Sequence, residues 1–216
     1  MHKGKYIPAL SLNWLTPFYD ALVEGPISAM QMRRGLLKIM GDLTGKNVLD
    51  VGCGTGTFVT MMKRAYPDAA ITGLDGDPDI LAAARVKALK FGLSIRFTES
   101  MSFSMPFADD GFDLVVTSMM LHHLGREAKE STAREMFRVL KPGGQLVGLD
   151  FAESRGVVGR GLRPITRHFE RVSENLYGLL PTVFAGVGFV DYVELKRYVL
   201  GSMALFGSKK PKLGRN

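Results

Sequence analysis

Short apolar runs alternate with helical stretches along most of the chain. Residues 47–51, 70–74, 94–98, 112–117 and 145–150 read as buried strands, each closed by a turn signal. Helices fall between them. One is expected over 57–65. A second follows Asp77-Pro78, an N-cap and a proline at the first helical position, with Ile80, Leu81, Ala84, Ala88 and Leu89 as its apolar face and Gly92 as its stop. A third, over 127–140, carries Ala133, Met136, Phe137 and Leu140 and ends at Lys141-Pro142-Gly143-Gly144. Ahead of the first strand, Trp14, Leu15, Phe18, Tyr19 and Leu22 follow helical spacing after Thr16-Pro17, and a further helix is predicted over 27–40. After the fifth strand come a helix over 164–178, with Ile165, Phe169, Val172 and Leu176 on one face, and two β-rich stretches, 189–196 and 198–206. Those two are separated only by Lys196-Arg197, so they form an antiparallel hairpin. The pattern predicts an α/β fold, a parallel sheet with helices on both faces. It predicts a single domain over 1–216: a helical cap (1–45), a ligand-binding core (46–150), a helix with a closing hairpin (151–207) and a basic tail (208–216).

The stretch Val48-Leu49-Asp50-Val51-Gly52-Cys53-Gly54-Thr55-Gly56 organises this pattern. Strand, glycine turn and helix start make a cradle in which a ligand approaches bare backbone. Composition adds little beyond a globular class: 46% of residues are hydrophobic and 23% charged. The one cysteine, Cys53, excludes an intrachain disulfide and suits a reducing, cytoplasmic setting. No signal peptide is expected after Met1-His2-Lys3-Gly4-Lys5, and no apolar run has the length of a membrane span. The net charge of +7 is partly in the tail, at Lys209, Lys210, Lys212 and Arg215, expected to be solvated. Arg160, Arg163, Arg167 and Arg171 follow helical spacing, as a solvated face or as a contact for an anionic acceptor or membrane surface.

The glycine spacing narrows the ligand. A dinucleotide fingerprint is G-x-G-x-x-G, whereas Gly52, Gly54 and Gly56 form G-x-G-x-G and position 57 is threonine. Asp75, closing the second strand, suits a ribose diol. Asp50, inside the turn, would repel a pyrophosphate but suits an ammonium group. These features favour S-adenosylmethionine (SAM) over a nicotinamide dinucleotide.

Five segments in order, VLDVGCGTG (48–56), GLDGDPDIL (73–81), MPFADDGFDLVV (105–116), LHHL (121–124) and FRVLKPGGQL (137–146), resemble a class I SAM-dependent methyltransferase. Phe18-Tyr19-Asp20 and the MPFADDGFD segment are similar to the methyltransferase type 11 group that contains the ubiquinone/menaquinone C-methyltransferases. The resemblance implies a Rossmann-like seven-stranded mixed sheet of order 3-2-1-4-5-7-6, with strand 7 antiparallel. It implies that Gly52, Gly54, Thr55 and Gly56 line the methionine and ribose of SAM, that Asp75 binds the ribose and that Gly76 packs beside the adenine. Met101 and Ser102 would flank the adenine, and Ser118 would approach the amino-acid part. Many relatives carry Asp or Asn where this chain has Met101, so the adenine amino group is left to backbone atoms or Ser102.

Methyl transfer needs alignment and a dry site more than acid catalysis, because the leaving group is neutral. A base is needed when the acceptor must lose a proton. His122 and His123, after the fourth strand, are the candidates, with packing or hydrogen bonding as their structural alternative. Tyr19 is a further candidate facing the acceptor from the N-terminal helix. Asp150 orients an amine or caps the segment after it. Cys53 fills a tight turn. No metal is expected. The acceptor expected is a small, lipophilic molecule, a quinone-like ring or an amine, with S-adenosylhomocysteine as the other product and the protein a monomer or homodimer. The alternatives are a nucleic-acid methyltransferase and a SAM-fold binding module without catalysis. No nucleic-acid partner is expected: the chain lacks an Asn-Pro-Pro-Tyr motif and a Pro-Cys nucleophile.

Overall fold

Alternation within the strands decides the architecture. In β1 (Asn47–Val51), Val48 belongs to one apolar cluster, Leu49 and Val51 to another, so both faces of the strand are buried. The computed structural model describes residues 26–153, 178–198 and 203–212. The expected N-terminal helix with Tyr19, the helix expected over 164–178 up to Gly178, the whole arginine run (Arg160, Arg163, Arg167 and Arg171) and Arg215 lie outside these residues.

The described elements are α1 (Pro26–Ile39), β1, α2 (Thr57–Ala65), β2 (Ala70–Asp75), α3 (Pro78–Lys90), β3 (Arg96–Glu99), β4 (Phe112–Ser118), a 3-10 turn (Leu121–His123), α4 (Arg126–Val139), β5 (Leu140–Phe151), α5 (Leu179–Val187), β6 (Val190–Tyr198) and β7 (Met203–Lys209). All seven strands join one sheet, ordered β3-β2-β1-β4-β5-β7-β6. β1 pairs in parallel with β2 and β4, whereas β7 runs antiparallel to both β5 and β6. This is the expected order, with the seventh strand reversed.

One face of the sheet packs Val48, Ile71, Leu114 and Val147 against Met32 and Leu36 of α1, Met40 just after it, and Phe58, Val59 and Met62 of α2. The other packs Leu49, Val115, Leu146 and Phe206 against Ala133 and Met136 of α4 and Val183 and Phe184 of α5. Each such side chain, fully buried, stabilises the fold by about 1.5–3 kcal/mol. Two glycines permit the closest approaches. A Cβ on Gly35 of α1 would collide with the Tyr198 hydroxyl, and one on Gly148 of β5 with the Phe206 ring.

Several expectations need correction. α5 was not predicted: its Leu-Leu-Pro-Thr-Val-Phe run is apolar nearly throughout and carries no helical period. Lys196 and Arg197, expected to separate the last two strands, lie inside β6, where Arg197 donates to the Glu153 carbonyl and pairs with Glu194. Leu89, expected on the buried face of α3, is 77% exposed; Leu81, Ala84 and Ala88 are the buried side. Lys209 and Lys210 do not begin a solvated tail. Lys209 ends β7, and Lys210 donates to Asp110 (2.7 Å) and to the Leu140 carbonyl (2.7 Å).

Candidate cofactor and acceptor site

The carboxyl ends of β1, β2, β4 and β5 meet at one edge of the sheet, where the glycine turn crosses over to α2. The turn is tied down from β2: the backbone N–H groups of Gly52 and Cys53 both donate to the Leu74 carbonyl (2.8 and 3.0 Å). Gly52, Gly54 and Gly56 all hold positive φ (76°, 55° and 74°), a conformation that only glycine adopts without strain. Their surroundings differ. A Cβ on Gly54 would meet open space, one on Gly52 would strike the Met120 side chain, and one on Gly56 would lie 2.9 Å from Ala84 Cβ. Gly56 is buried and serves the contact between α2 and α3 rather than an open surface.

Asp75 sits at the end of β2, half-buried. Its carboxylate accepts from the N–H of Gly54 (2.9 Å) and of Asp77 (3.1 Å), which fixes both oxygens beside the turn and leaves each with a free lone pair. Asp50 is 1% exposed, and its Oδ1 has no hydrogen-bond partner among the described residues. Burial, then the negative charge of Asp75, push its carboxyl up to about 7, with Arg33 of α1 pulling the other way. An orphaned, buried carboxylate oxygen beside a bare backbone turn is what a ligand ammonium group would complete. The residues present therefore fit SAM: Asp50 for its ammonium group, Asp75 for its ribose hydroxyls, Gly52 and Gly54 for the backbone surface beneath it. Cys53 is no nucleophile, since burial drives its thiol well above the usual range and Asp50 and Asp75 push it further.

The remaining sites of expected contact separate into two groups. Met101 packs on Gly76, its Sδ 2.9 Å from where a Cβ would stand, forming an apolar wall after β2. Ser102 is buried and its hydroxyl is engaged with Thr132 Oγ1 at 2.8 Å, facing α4. Thr55 is exposed and receives a hydrogen bond from Lys87 Nζ (3.2 Å), which also holds Thr57 (2.8 Å). Ser118 is half-buried at the end of β4. Met119, next in the chain, has φ of 59°, and Met120 covers Gly52.

Sequence reasoning missed the role of Asp150. It is fully buried at the end of β5, and its partners include Leu121 N (2.8 Å), Phe151 N (2.7 Å) and His122 Nδ1 (3.1 Å). Burial alone would raise its carboxyl, but the attraction and hydrogen bond of His122 and the two backbone N–H groups hold it below the usual carboxylate range. It thus anchors the 3-10 turn and one imidazole together. His122 is 8% exposed, edge-on to Phe151 (5.0 Å between centroids), while His123 is exposed, its ring 4.0 Å from that of His122. The only sequence signal was that Asp150 closes a strand at the ligand edge. Among the described residues no cluster of three His, Cys, Asp or Glu side chains could hold a metal ion. No described helix is long and apolar enough to cross a membrane.

Comparison with known proteins adds a second line of support. A profile described as a methyltransferase domain matches residues 48–144, the segment from the glycine turn to the start of β5. The demethylmenaquinone methyltransferase of Thermus thermophilus is 33% identical over 162 residues, 74% of this chain and 71% of that one. Together with this relative, the profile match makes the chain a SAM-dependent methyltransferase, an enzyme whose cofactor is SAM, and the β3-β2-β1-β4-β5-β7-β6 sheet is that of class I. The ubiquinone/menaquinone biosynthesis C-methyltransferase of Desulfotalea psychrophila is 28% identical over 197 residues, 80% and 77% of the two chains. The chain belongs to the ubiquinone/menaquinone C-methyltransferase-like group of that class. A Haemonchus contortus phosphoethanolamine N-methyltransferase, solved with S-adenosylhomocysteine, shares the fold at TM-score 0.71 and 16% identity over 84% of this chain and 53% of that one.

Proposed function

We propose that this methyltransferase adds a methyl group to a ring carbon of a hydroxylated, quinol-type acceptor, with His122 as the base. The observation that carries this reading is the buried His122–Asp150 pair at the carboxyl edge of the sheet. The names of the relatives in Thermus and Desulfotalea support the acceptor class. A cytoplasmic enzyme working on a small acceptor fits the same reading.

Bound SAM would supply a methyl group on a positively charged sulfur, with a neutral thioether as the leaving group. A ring carbon becomes a good nucleophile when a neighbouring hydroxyl loses its proton. With Asp150 ionised, the neutral imidazole of His122 carries its proton on Nδ1, leaving Nε2 as the acceptor for that hydroxyl proton. Once the new carbon–carbon bond is made, the hydrogen on that ring carbon leaves as a proton, the oxygen regains one from the His122 imidazolium and aromaticity returns, so one proton is released net for each methyl transferred. Asp150 orients the ring and stabilises the imidazolium, as in other carboxylate–imidazole pairs. Met101 and Met120 help keep the site apolar, and exclusion of water strengthens the Asp50 interaction with the cofactor's amine.

The test is labelled-methyl transfer to demethylmenaquinol, a demethylated benzoquinol and phosphoethanolamine. Transfer to a quinol is expected, with His122→Asn and Asp150→Asn reduced about a hundredfold or more in kcat and His123→Asn near wild type. Transfer to the amine alone would overturn the acceptor class. A wild-type rate in His122→Asn would remove the base.

A further inference from the structure

Helix α3 turns an apolar stripe toward solvent. At about 100° per residue, Ala82, Val86 and Leu89 lie on one line, and all are exposed, Val86 by 66% and Leu89 by 77%. Phe91, just past the helix, is 48% exposed. The same geometry puts Arg85 on one side of the stripe and Lys90 on the other, both exposed. Arg64, from the end of α2, lies over the Phe91 ring with 5.3 Å to its centroid. Lys63, Arg64, Phe91 and Leu93 together line a surface concavity of about 550 Å³. Lys63 is occupied, donating to the Pro67 and Ala69 carbonyls. No acidic residue occurs between Asp79 and Glu99, whereas Arg85, Lys87, Lys90 and Arg96 fall in that interval. Asp77 and Asp79 stand together at the start of α3, at the opposite end of the helix from Lys90 and Phe91.

We propose that the outer face of α3 and the turn after it form a docking surface for an anionic lipid bilayer. Val86, Leu89 and Phe91 enter the interface, and Arg64, Arg85 and Lys90 engage the headgroups. Apolar residues rimmed by cations are the composition such a contact needs. Charge decides against a second copy of the chain: a two-fold contact through this patch would set its cations against their own copies. This assignment is independent of the acceptor reading. It also differs from the arginine run over 160–171, which falls outside the described residues.

The experiment is flotation of the full chain with vesicles of pure phosphatidylcholine and with vesicles carrying about 30 mol % phosphatidylglycerol. Wild-type protein should float only with the anionic vesicles, and less so as salt rises. Leu89→Ser with Phe91→Ser, and separately Arg64→Glu with Lys90→Glu, should each weaken binding about tenfold or more. These side chains are on the surface, so both variants should keep wild-type affinity for S-adenosylhomocysteine, which reports a folded core. Equal flotation with neutral vesicles, or wild-type flotation in both variants, overturns the assignment. So does a dimer that Leu89→Ser with Phe91→Ser dissolves, or a salt-dependent affinity for RNA that Arg64→Glu with Lys90→Glu abolishes while flotation persists.

Discussion

Replacing Asp50 by asparagine should stabilise the free protein and disable it. The carboxyl sits at about 7 in the folded chain against an ordinary 3.8, because burial and the charge of Asp75 disfavour ionisation. A shift of about 3 units is worth roughly 4 kcal/mol, at about 1.4 kcal/mol per unit. A raised folded pKa gives stability that is complete below the unfolded value and is lost as pH rises through the folded value. Wild-type protein therefore carries an increasing penalty from about pH 4 to pH 7, approaching about 4 kcal/mol at pH 8. Asparagine has nearly the same shape and no charge, so its stability should not follow that curve. Urea unfolding at pH 5 and pH 8, in wild type and Asp50→Asn, reads the difference: the variant should gain about 2–3 kcal/mol on wild type between the two. Calorimetry with S-adenosylhomocysteine supplies the second half, an affinity lower by about a hundredfold, since the ligand's ammonium loses its buried counter-charge. Wild-type affinity should itself fall by up to about tenfold per unit as pH drops below 7, because the proton on Asp50 must then leave. A stability gap that is flat with pH, or an unchanged affinity, would refute the reasoning.

Other expectations follow from the same contacts. Asp75→Ala removes the acceptor for Gly54 and Asp77 N–H as well as the proposed ribose partner, so calorimetry should find S-adenosylhomocysteine binding weakened at least about tenfold. Gly148→Ala forces a methyl group into the Phe206 ring and should cost about 1–3 kcal/mol in urea unfolding. Glu135 is held below the ordinary carboxylate range by Arg138, which also grips Asp109 and the carbonyls of Met105 and Phe107. Its contribution is present above the unfolded pKa of about 4.5 and is lost as pH falls through the folded value. Arg138→Met should weaken that acid-side dependence, leaving the part due to the Met105 N–H, and cost about 1–2 kcal/mol at pH 7 by denaturation.

Local chemistry carried the parts that were readable beforehand. The turn at 52–56, Asp75 and the strand–helix alternation rest on short-range rules: glycine at positive φ, a strand end, an N-cap with proline after it. Those residues stand in the structure where the spacing put them. What escaped prediction depends on contacts remote in sequence. Asp150 and His122 are 28 positions apart and meet only because β5 pairs beside β4. Ser102 turns to Thr132 for the same kind of reason, a partner on another element. The solvent-facing Val86 and Leu89 mislead any reading of apolar period, because hydrophobicity marks a buried face only when nothing outside the fold wants it.

β7 lies between β5 and β6, although it follows both in the chain. During synthesis the ribosome delivers β6 before the strand that ties it to the sheet. Until Met203–Lys209 emerges, β5 presents an open edge of unpaired backbone and β6 has no neighbour. The glycine turn and its supporting strands are complete by then, so the cofactor's ligand could steady the nascent core while its last seam is still missing. Translation paused ahead of β7 leaves a chain that chaperones would be expected to hold.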